Sequence, residues 1–217
     1  MCFSASASFI AGTSLSAIGV ATVKKTVGKR EIPFALLPVL FGIQQLIEGV
    51  IWLSFRFDAH VLNTVMTYIY SLFSQLFWPI YIPFSVLLLE TVPWRKRVLI
   101  LFQLVGLGVG LYLLYAILRF SIVSEVREHI IYYSPNFYSS RAIFFYLIAT
   151  CGSCLVSSHK MINLLGFMAW LFAFIAYCIQ ATAFRSLWCF FAAILSILVY
   201  LYFRFRPAEP PPQMKAG

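Results

Sequence analysis

The stretch VLILFQLVGLGVGLYLLYAIL, residues 98–118, contains no charged side chain and is long enough to cross a bilayer as a helix. A spanning helix needs about 20 mostly apolar residues at a rise of 1.5 Å each. Inside hydrocarbon the backbone must satisfy its own hydrogen bonds, so a helix is the conformation that fits such a run. The stretch therefore predicts a transmembrane helix, and similar runs lie on both sides of it.

Seven apolar runs of this kind follow one another along the chain. We predict an all-α integral membrane protein: a bundle of seven transmembrane helices in one domain, 1–205, followed by a disordered cytoplasmic tail, 206–217. The composition agrees, because hydrophobic residues make up 62% of the chain and charged residues only 11%, against about 25% charged residues in soluble domains. The predicted spans are 3–23, 33–55, 62–89, 98–119, 139–157, 161–179 and 184–204.

The positions of Lys and Arg predict the orientation. Eleven of the sixteen cations lie after spans one, three, five and seven, and five lie in the alternate joints. Cytoplasmic joints carry the excess of positive charge, so we expect the N-terminus outside and the C-terminus in the cytoplasm. The first apolar run precedes its positive charges, which favours a retained helix over a cleaved signal peptide. The net charge of +9 does not indicate nucleic-acid binding, because no basic face alternates with aromatic residues.

Two stretches depart from a plain helical span. Pro79 and Pro83 lie in the long third span, and each removes a helical hydrogen bond. They predict either a bent helix that packs well or a broken helix that lines a cavity, as in transporters. The external loop 119–140 is rich in β-branched and aromatic residues over 121–133, a composition compatible with a short hairpin over the external mouth.

Glu48 is the only acidic residue well inside a predicted span. A carboxylate there costs about 2.5 kcal/mol or more unless it is neutralised or paired. Gln44 and Gln45 share its helix face. Two interpretations stay open: a proton-carrying or ligand-binding site, or a hydrogen-bonding group that joins neighbouring helices. Gly42 and Gly49, seven residues apart, favour close helix approach near this face.

The predicted topology brings further reactive groups to the external half. Thiolate, imidazole and carboxylate groups together suit zinc or another transition metal. The spacing of a known zinc motif is absent, and external cysteines also form disulfides, so a Cys2–Cys189 bridge is the competing interpretation. The residues concerned are Cys2, Glu48, His60, His129, Cys178 and Cys189, with Trp188 beside the last.

Other motifs have simpler explanations. Cys151-Gly152-Ser153-Cys154 resembles a redox motif, but it lies in an apolar span, where small residues more often mean close helix packing. A retinal Schiff base is excluded because every Lys lies at a span boundary or in the tail. A serine triad lacks convergent His and acidic residues, and neither a P-loop nor a dinucleotide glycine motif occurs.

The opening Met1-Cys2-Phe3-Ser4-Ala5-Ser6-Ala7 resembles that of a family of bacterial membrane proteins of unknown function, whose members begin Met-Cys-(Phe/Trp)-Ser-Ala. Three further stretches are similar to that family: Pro33–Trp52 with its Gly-x-x-Gln-x-x-Glu core, His129 followed by Tyr132-Tyr133, and Phe184–Ala193. The resemblance covers most of the chain and brings no known activity. It implies a bacterial inner membrane and one external-side site that contains Cys2, Gln45, Glu48, His129, Trp188 and Cys189.

Three functions follow as hypotheses. The first is a sensor or carrier that binds a small ligand or a metal in a pocket near Glu48 and Gln45, under the loop that contains His129. The second is a membrane-embedded enzyme with Cys2 or Cys189 as nucleophile and His129 as base. The third is a structural or partner-binding bundle. The lipid bilayer is the surrounding partner in each, and nucleic acid is not expected.

Overall fold

The computed structural model describes residues 4–126, 130–133, 140–179 and 184–205. It is all-helical apart from one hairpin, and its helices form seven apolar segments. In chain order the elements are α1 (Ala5–Val23), a 3-10 turn (Lys29–Glu31), α2 (Ile32–Ala35), α3 (Leu37–Arg56), α4 (His60–Ser71), a π-helix (Leu72–Phe77), α5 (Trp78–Leu89), α6 (Pro93–Arg119), β1 (Val123–Val126), β2 (Ile130–Tyr133), α7 (Ser140–Leu147), a second π-helix (Ile148–Gly152), α8 (Ser153–Val156), α9 (Lys160–Ile179) and α10 (Phe184–Phe205).

The seven segments coincide with the seven apolar runs of the sequence to within a few residues. Five of them are long and apolar enough to cross a membrane: Ala5–Val23, Lys29–Arg56, His60–Leu89, Pro93–Arg119 and Lys160–Cys178. Two shorter apolar helices, Arg141–Val156 and Ala193–Phe205, bring the number to seven. The all-helical, seven-segment prediction is confirmed, and the lengths and composition are compatible with a membrane protein.

Local sequence sets several of the helix ends. Ser4 caps α1, since its Oγ accepts a hydrogen bond from the backbone N–H of Ala7 at 3.2 Å. Pro93 begins α6 at a position where the missing N–H costs nothing. The turn between α3 and α4 is tight, and Asp58 takes a positive φ of 50°, a conformation that Asp tolerates better than most residues.

Small residues bring α1 and α3 into close contact. A Cβ at Gly42 would lie 2.8 Å from the carbonyl oxygen of Gly12, and a Cβ at Gly12 would lie 2.9 Å from that of Gly42. About two turns further along α3, a Cβ at Gly49 would lie 3.0 Å from the ring of Phe9. The close helix approach predicted from Gly42 and Gly49 is therefore present, and α1 is its partner.

The third segment is irregular ahead of its prolines rather than at them. The π-helix Leu72–Phe77 ends where α5 begins, and the N–H of Trp78 bonds to the carbonyl of Phe73, five residues earlier. Pro79 follows at once and cannot donate to the carbonyl of Gln75. A π-turn of this kind widens the helix and rotates the side chains that follow it, a feature that is frequent at functional sites.

The predicted hairpin is present as a two-stranded antiparallel sheet. Val123 pairs with Tyr133 and Val126 with Ile130. Ile130, Ile131 and Tyr132 of β2 are buried, and Ile130 and Tyr132 pack with Ile51 and Tyr70 in a second hydrophobic cluster, separate from the main core. The hairpin therefore packs against α3 and against α4 as far as Tyr70, near the end of α4 that lies away from Asp58.

Candidate functional site

The three polar residues that the sequence indicated on α3 are all in the protein interior. Gln44, Gln45 and Glu48 are each 0% exposed. They lie within four residues of one another on the helix, so one face of α3 presents two amides and a carboxyl group to its neighbours. Glu48 is eight residues before the end of α3 at Arg56, which is about 12 Å along the axis at 1.5 Å per residue.

Trp78 holds Gln44 from the third segment. Its Nε1–H donates to Gln44 Oε1 at 2.5 Å, and its ring stacks on Phe41 with centroids 4.0 Å apart and planes 16° apart. The stacking and the hydrogen bond fix the indole at the start of α5, directly after the π-helix. This contact joins α3 to the third segment at the level of Gln44.

Gln75 lies in the π-helix, three residues before Trp78, and is also 0% exposed. The two segments run antiparallel, and Gln44 meets Trp78 while Ile51 packs with Tyr70. Ser71 and Gln75 precede Trp78 by seven and three residues, so they lie near the face of the third segment that meets Gln44 through Trp78. We call Gln44, Gln45, Glu48, Ser71 and Gln75 the polar cluster.

The polar cluster contains hydrogen-bonding atoms that the described residues leave without a partner. They are Gln44 Nε2, Ser71 Oγ and both amide atoms of Gln75. A buried amide or hydroxyl without a hydrogen bond costs roughly 1–3 kcal/mol, and surrounding apolar helices offer no water to compensate. Such a concentration in one place is typical of a site that receives a polar ligand or water.

A chain of hydrogen bonds connects the hairpin to the helices beside the polar cluster. Ser124 of β1 shares a hydrogen bond of 2.8 Å with Thr67 and donates at 3.0 Å to Asn63 Oδ1. Asn63 Nδ2 donates in turn to Ser54 Oγ at 3.0 Å. Tyr132 of β2 stacks on Tyr70 with centroids 4.4 Å apart and planes 7° apart. The hairpin is therefore docked by both polar and aromatic contacts, as a fixed cover over this end of the bundle.

Several residues predicted for the site lie beyond what the structure describes. Cys2 and His129 fall outside the described residues, and Cys189 lies on α10 at a position whose side chain is not described. The Cys2–Cys189 bridge, the metal site and the nucleophile therefore stay predictions. Within the described ranges, no three His, Cys, Asp or Glu residues gather closely enough to hold a metal ion.

Trp188 is buried and contacts α9 and α7. Its Nε1–H donates to the carbonyl of Ala169 at 3.3 Å, and its ring meets Tyr146 edge-on at 5.4 Å. It lines a small apolar cavity of about 50 Å³ in the bundle interior. Trp78 and Cys151 line the same cavity, so Trp78 is the residue that touches both the cavity and the polar cluster.

The stretch Cys151-Gly152-Ser153-Cys154 packs closely against α9. Cys151 and Cys154 are both buried and free, and a Cβ at Gly166 of α9 would lie 2.7 Å from Cys154 Cβ. The small residues thus allow α9 to approach the second π-helix and α8 closely. Cys178, at the end of α9, is also free and is exposed.

A second polar assembly lies at the opposite end of the bundle. Glu90, in the joint between α5 and α6, accepts hydrogen bonds from the backbone N–H groups of Thr91 and Val92, each at 2.9 Å, and of Ser158 at 2.7 Å. Burial by itself would raise the pKa of Glu90, but these backbone hydrogen bonds outweigh it and lower the pKa. The carboxylate thus ties the joint after the third segment to the joint after the fifth.

Two more side chains hold the same joint. Arg95 donates to the carbonyls of Val156 and Ser157, and Asn163 Nδ2 reaches the carbonyls of Cys154, Leu155 and Ser157 at 2.9–3.0 Å. These carbonyls lie at or just beyond the end of α8, where a helix leaves carbonyls without helical donors, and among the described residues only that of Cys154 also accepts a backbone N–H, from Ser157. The clamp formed by Glu90, Arg95 and Asn163 is therefore structural, and sequence reasoning missed it.

The family model for a family of unknown function, DUF6629, matches residues 1–214. The chain belongs to this family. No curated protein and no solved structure matches the chain. The match agrees with the predicted resemblance to a family of unknown function and covers nearly the whole chain, so the polar cluster and the clamp both lie inside the family's domain.

Proposed function

We propose that this DUF6629 protein is a multi-pass protein of the bacterial inner membrane that binds a small polar ligand in the polar cluster, as a sensor or carrier. The observation that carries the proposal is Gln75. Its side chain is wholly buried among apolar helices, and neither of its amide atoms has a partner among the described residues. A fully buried amide is retained at this cost where a ligand or water completes its hydrogen bonds.

The hydrogen-bonding groups of the polar cluster restrict which chemical groups its ligand would carry. Gln44 and Gln75 supply N–H donors, and Gln75 and Ser71 supply acceptors. Glu48 is the only acidic group at this depth. We therefore expect a ligand that carries a cationic or hydrogen-donating group beside an acceptor, and that is small enough to fit between α3 and the third segment.

The orientation supports access from outside. With the N-terminus external, α3 ends at the external surface, and Glu48 lies in the outer half of the membrane. The hairpin then covers the external mouth, and His129 belongs to the connection between β1 and β2. The ligand would reach the polar cluster past the hairpin.

The first test is native mass spectrometry of the protein purified in mild detergent. The expected result is a bound non-lipid species in the wild-type protein that is absent from Gln75→Leu and from Glu48→Gln. Gln103→Leu is the matched control, because Gln103 lies in the neighbouring α6 and donates to the carbonyl of Ile80 instead. The control should keep the bound species.

A probe experiment covers a ligand that is lost during purification. Choline and Zn²⁺, an organic cation and a metal cation, are added separately, and the thermal unfolding midpoint is measured. Binding at the polar cluster predicts a rise for at least one probe that Gln75→Leu and Glu48→Gln abolish and Gln103→Leu preserves. Absence of both a bound species and a probe-dependent shift would reject the proposal and leave a structural bundle as the function.

A further inference from the structure

A large open cavity lies at the end of the bundle opposite the hairpin. Its volume is about 1050 Å³, at the upper end of what small-molecule sites use. Four parts of the chain line it: the joint 27–31, the end of the third segment with Glu90 and Thr91, the start of α9 from His159, and the end of α10 from Leu201. These are the joints that the distribution of Lys and Arg places on the cytoplasmic side. We call it the basal cavity.

Three cations line the basal cavity and are exposed: Lys29, Arg30 and Lys160. Among the residues that the structure describes, none of the three has a hydrogen-bonded or ion-pair partner. The two acidic residues that line the cavity are engaged by backbone donors instead. Glu31 accepts from the N–H groups of Val27 and Gly28, and Glu90 accepts from the three donors of the clamp.

The cavity also has an apolar flank. Leu88, Leu201 and Phe205 line it, and Phe205 is 72% exposed. These side chains sit at the ends of apolar helices, so in a membrane they would meet the region where acyl chains begin. A lining that contains both exposed cations and apolar side chains matches an amphipathic anion rather than a free one, which would gain nothing from the apolar side chains.

His159 also lines the basal cavity. Its Nδ1 lies 3.4 Å from the hydroxyl of Tyr202, and its Nε2 is buried. The ring therefore shapes the wall of the cavity, and the charge that would meet a phosphate comes from Lys29, Arg30 and Lys160.

We propose that the basal cavity binds the phosphate headgroup of an anionic phospholipid of the cytoplasmic leaflet, with Lys29, Arg30 and Lys160 around the phosphate and the apolar flank against the acyl chains. Basic pockets between helices on the cytoplasmic side recognise such headgroups. The proposal rests on the membrane location within the proposed function, but it is independent of the ligand in the polar cluster.

The test uses delipidated protein in neutral detergent, titrated with dioleoylphosphatidylglycerol or with dioleoylphosphatidylcholine and followed by native mass spectrometry. We expect phosphatidylglycerol to bind more tightly by about tenfold or more, since each nearby cation contributes on the order of 1 kcal/mol. The variant Lys29→Gln/Arg30→Gln/Lys160→Gln should lose this preference. Lys24→Gln/Lys96→Gln/Arg97→Gln removes the same charge from residues outside the cavity lining and should keep it.

A second variant tests shape without changing charge. Gly28 lines the cavity at a φ of −114°, and a Cβ there would meet nothing within 4 Å. Gly28→Trp should therefore fold normally and weaken phosphatidylglycerol binding by filling space. Equal binding of both lipids, or equal losses in the two charge variants, would overturn the proposal. Competition by soluble glycerol phosphate at the same concentration as the lipid would identify a free anion instead and would overturn it too.

Discussion

Two buried glutamines of the same cluster have different surroundings, and the difference sets their expected contributions to stability. Gln44 accepts the hydrogen bond from Trp78 Nε1, whereas neither amide atom of Gln75 meets a partner in the described part of the chain. Replacing a partnered group leaves the other partner buried and unpaired, while replacing an unpartnered one removes a desolvation cost. Binding sites commonly carry such a cost in return for function.

We expect Gln75→Leu to leave the ligand-free protein equally stable or more stable, by up to about 1–3 kcal/mol. Gln44→Leu should destabilise it by a similar amount, because the indole N–H of Trp78 loses its acceptor. The thermal unfolding midpoints of both variants, measured in the same detergent after exhaustive dialysis, check this. If Gln75→Leu proves as destabilising as Gln44→Leu, the amide of Gln75 has a structural partner.

Glu90 gives the stability a predictable pH dependence. Its folded-state pKa is lowered from the usual 4.5 by the backbone hydrogen bonds it accepts, so its contribution to stability is fully present above that value and is lost as the pH falls through the folded pKa. We expect Glu90→Gln to lower the free energy of unfolding by about 1–3 kcal/mol near neutral pH. The difference in the free energy of unfolding between Glu90→Gln and the wild type should disappear as the pH falls below 4.5.

The unfolding midpoints of both proteins are measured by intrinsic tryptophan fluorescence from neutral pH to below 4.5. Asp58→Asn is the control, because Asp58 is exposed and Asn tolerates its positive φ. The unfolding midpoint of Asp58→Asn should change with pH in the same way as that of the wild type. A gap between Glu90→Gln and wild type that does not change with pH would show that the loss comes from packing rather than from the carboxylate.

At the level of elements, α6 offers a comparison between two glycines two residues apart. A Cβ at Gly106 would overlap the carbonyl oxygen of Pro79, whereas a Cβ at Gly108 would meet nothing within 4 Å. Pro83 has no N–H to donate to that carbonyl within α5. The absence of a side chain at Gly106 therefore lets α6 lie directly against the proline-containing part of the third segment.

Gly106→Ala is expected to destabilise the protein by about 1–3 kcal/mol, since the backbones must separate. Gly108→Ala should be neutral or stabilising by up to about 1 kcal/mol, because alanine favours a helix over glycine. Unfolding midpoints of the two variants under one set of conditions decide the matter. Equal effects would mean that α6 and the third segment are not in contact at Gly106.

Two adjacent tyrosines of the hairpin, one buried and one exposed, provide a second matched pair of substitutions. Tyr132 is 1% exposed and stacks on Tyr70, while its neighbour Tyr133 is 41% exposed. We expect Tyr132→Ala to detach the hairpin from α4, since truncation of a buried aromatic residue costs about 3–5 kcal/mol, and Tyr133→Ala to leave it docked. Hydrogen–deuterium exchange over residues 123–133 measures this directly: fast exchange in Tyr132→Ala only is the expected result, and equal protection in both variants would contradict it.

For the whole molecule, the sequence predicted the number and positions of the helical segments because a long apolar run inside a bilayer has only one conformation that satisfies its backbone. It predicted the face of α3 for a similar reason: Gln44, Gln45 and Glu48 are close in sequence and share a helix face. Gln75 was missed, since the role of a lone glutamine in an apolar run shows only when the fold brings its helix face against Gln44 through Trp78.

The clamp and the π-helices were beyond sequence reasoning for the same physical reason. Glu90 meets the N–H of Ser158 across 68 residues, and no local pattern of either stretch indicates that contact. Pro79 and Pro83 predicted an irregular third segment, but the change in helical pitch occurs before them, where the sequence reads as an ordinary apolar helix. Local patterns thus predict the elements, while contacts between distant joints have to be seen in the fold.

Seven crossings would place the two ends of the chain on opposite sides of the membrane, and the excess of Lys and Arg after segments one, three, five and seven predicts that the C-terminus is inside. Expressed in a bacterium, a C-terminal green fluorescent protein fusion should therefore fluoresce, and a C-terminal alkaline phosphatase fusion should be inactive. A phosphatase fused after Phe120, between the fourth segment and the hairpin, should be active. The reverse pattern would move the polar cluster to the inner half of the membrane and the basal cavity to the outer leaflet, and it would contradict both access of the ligand from outside and the cytoplasmic lipid site.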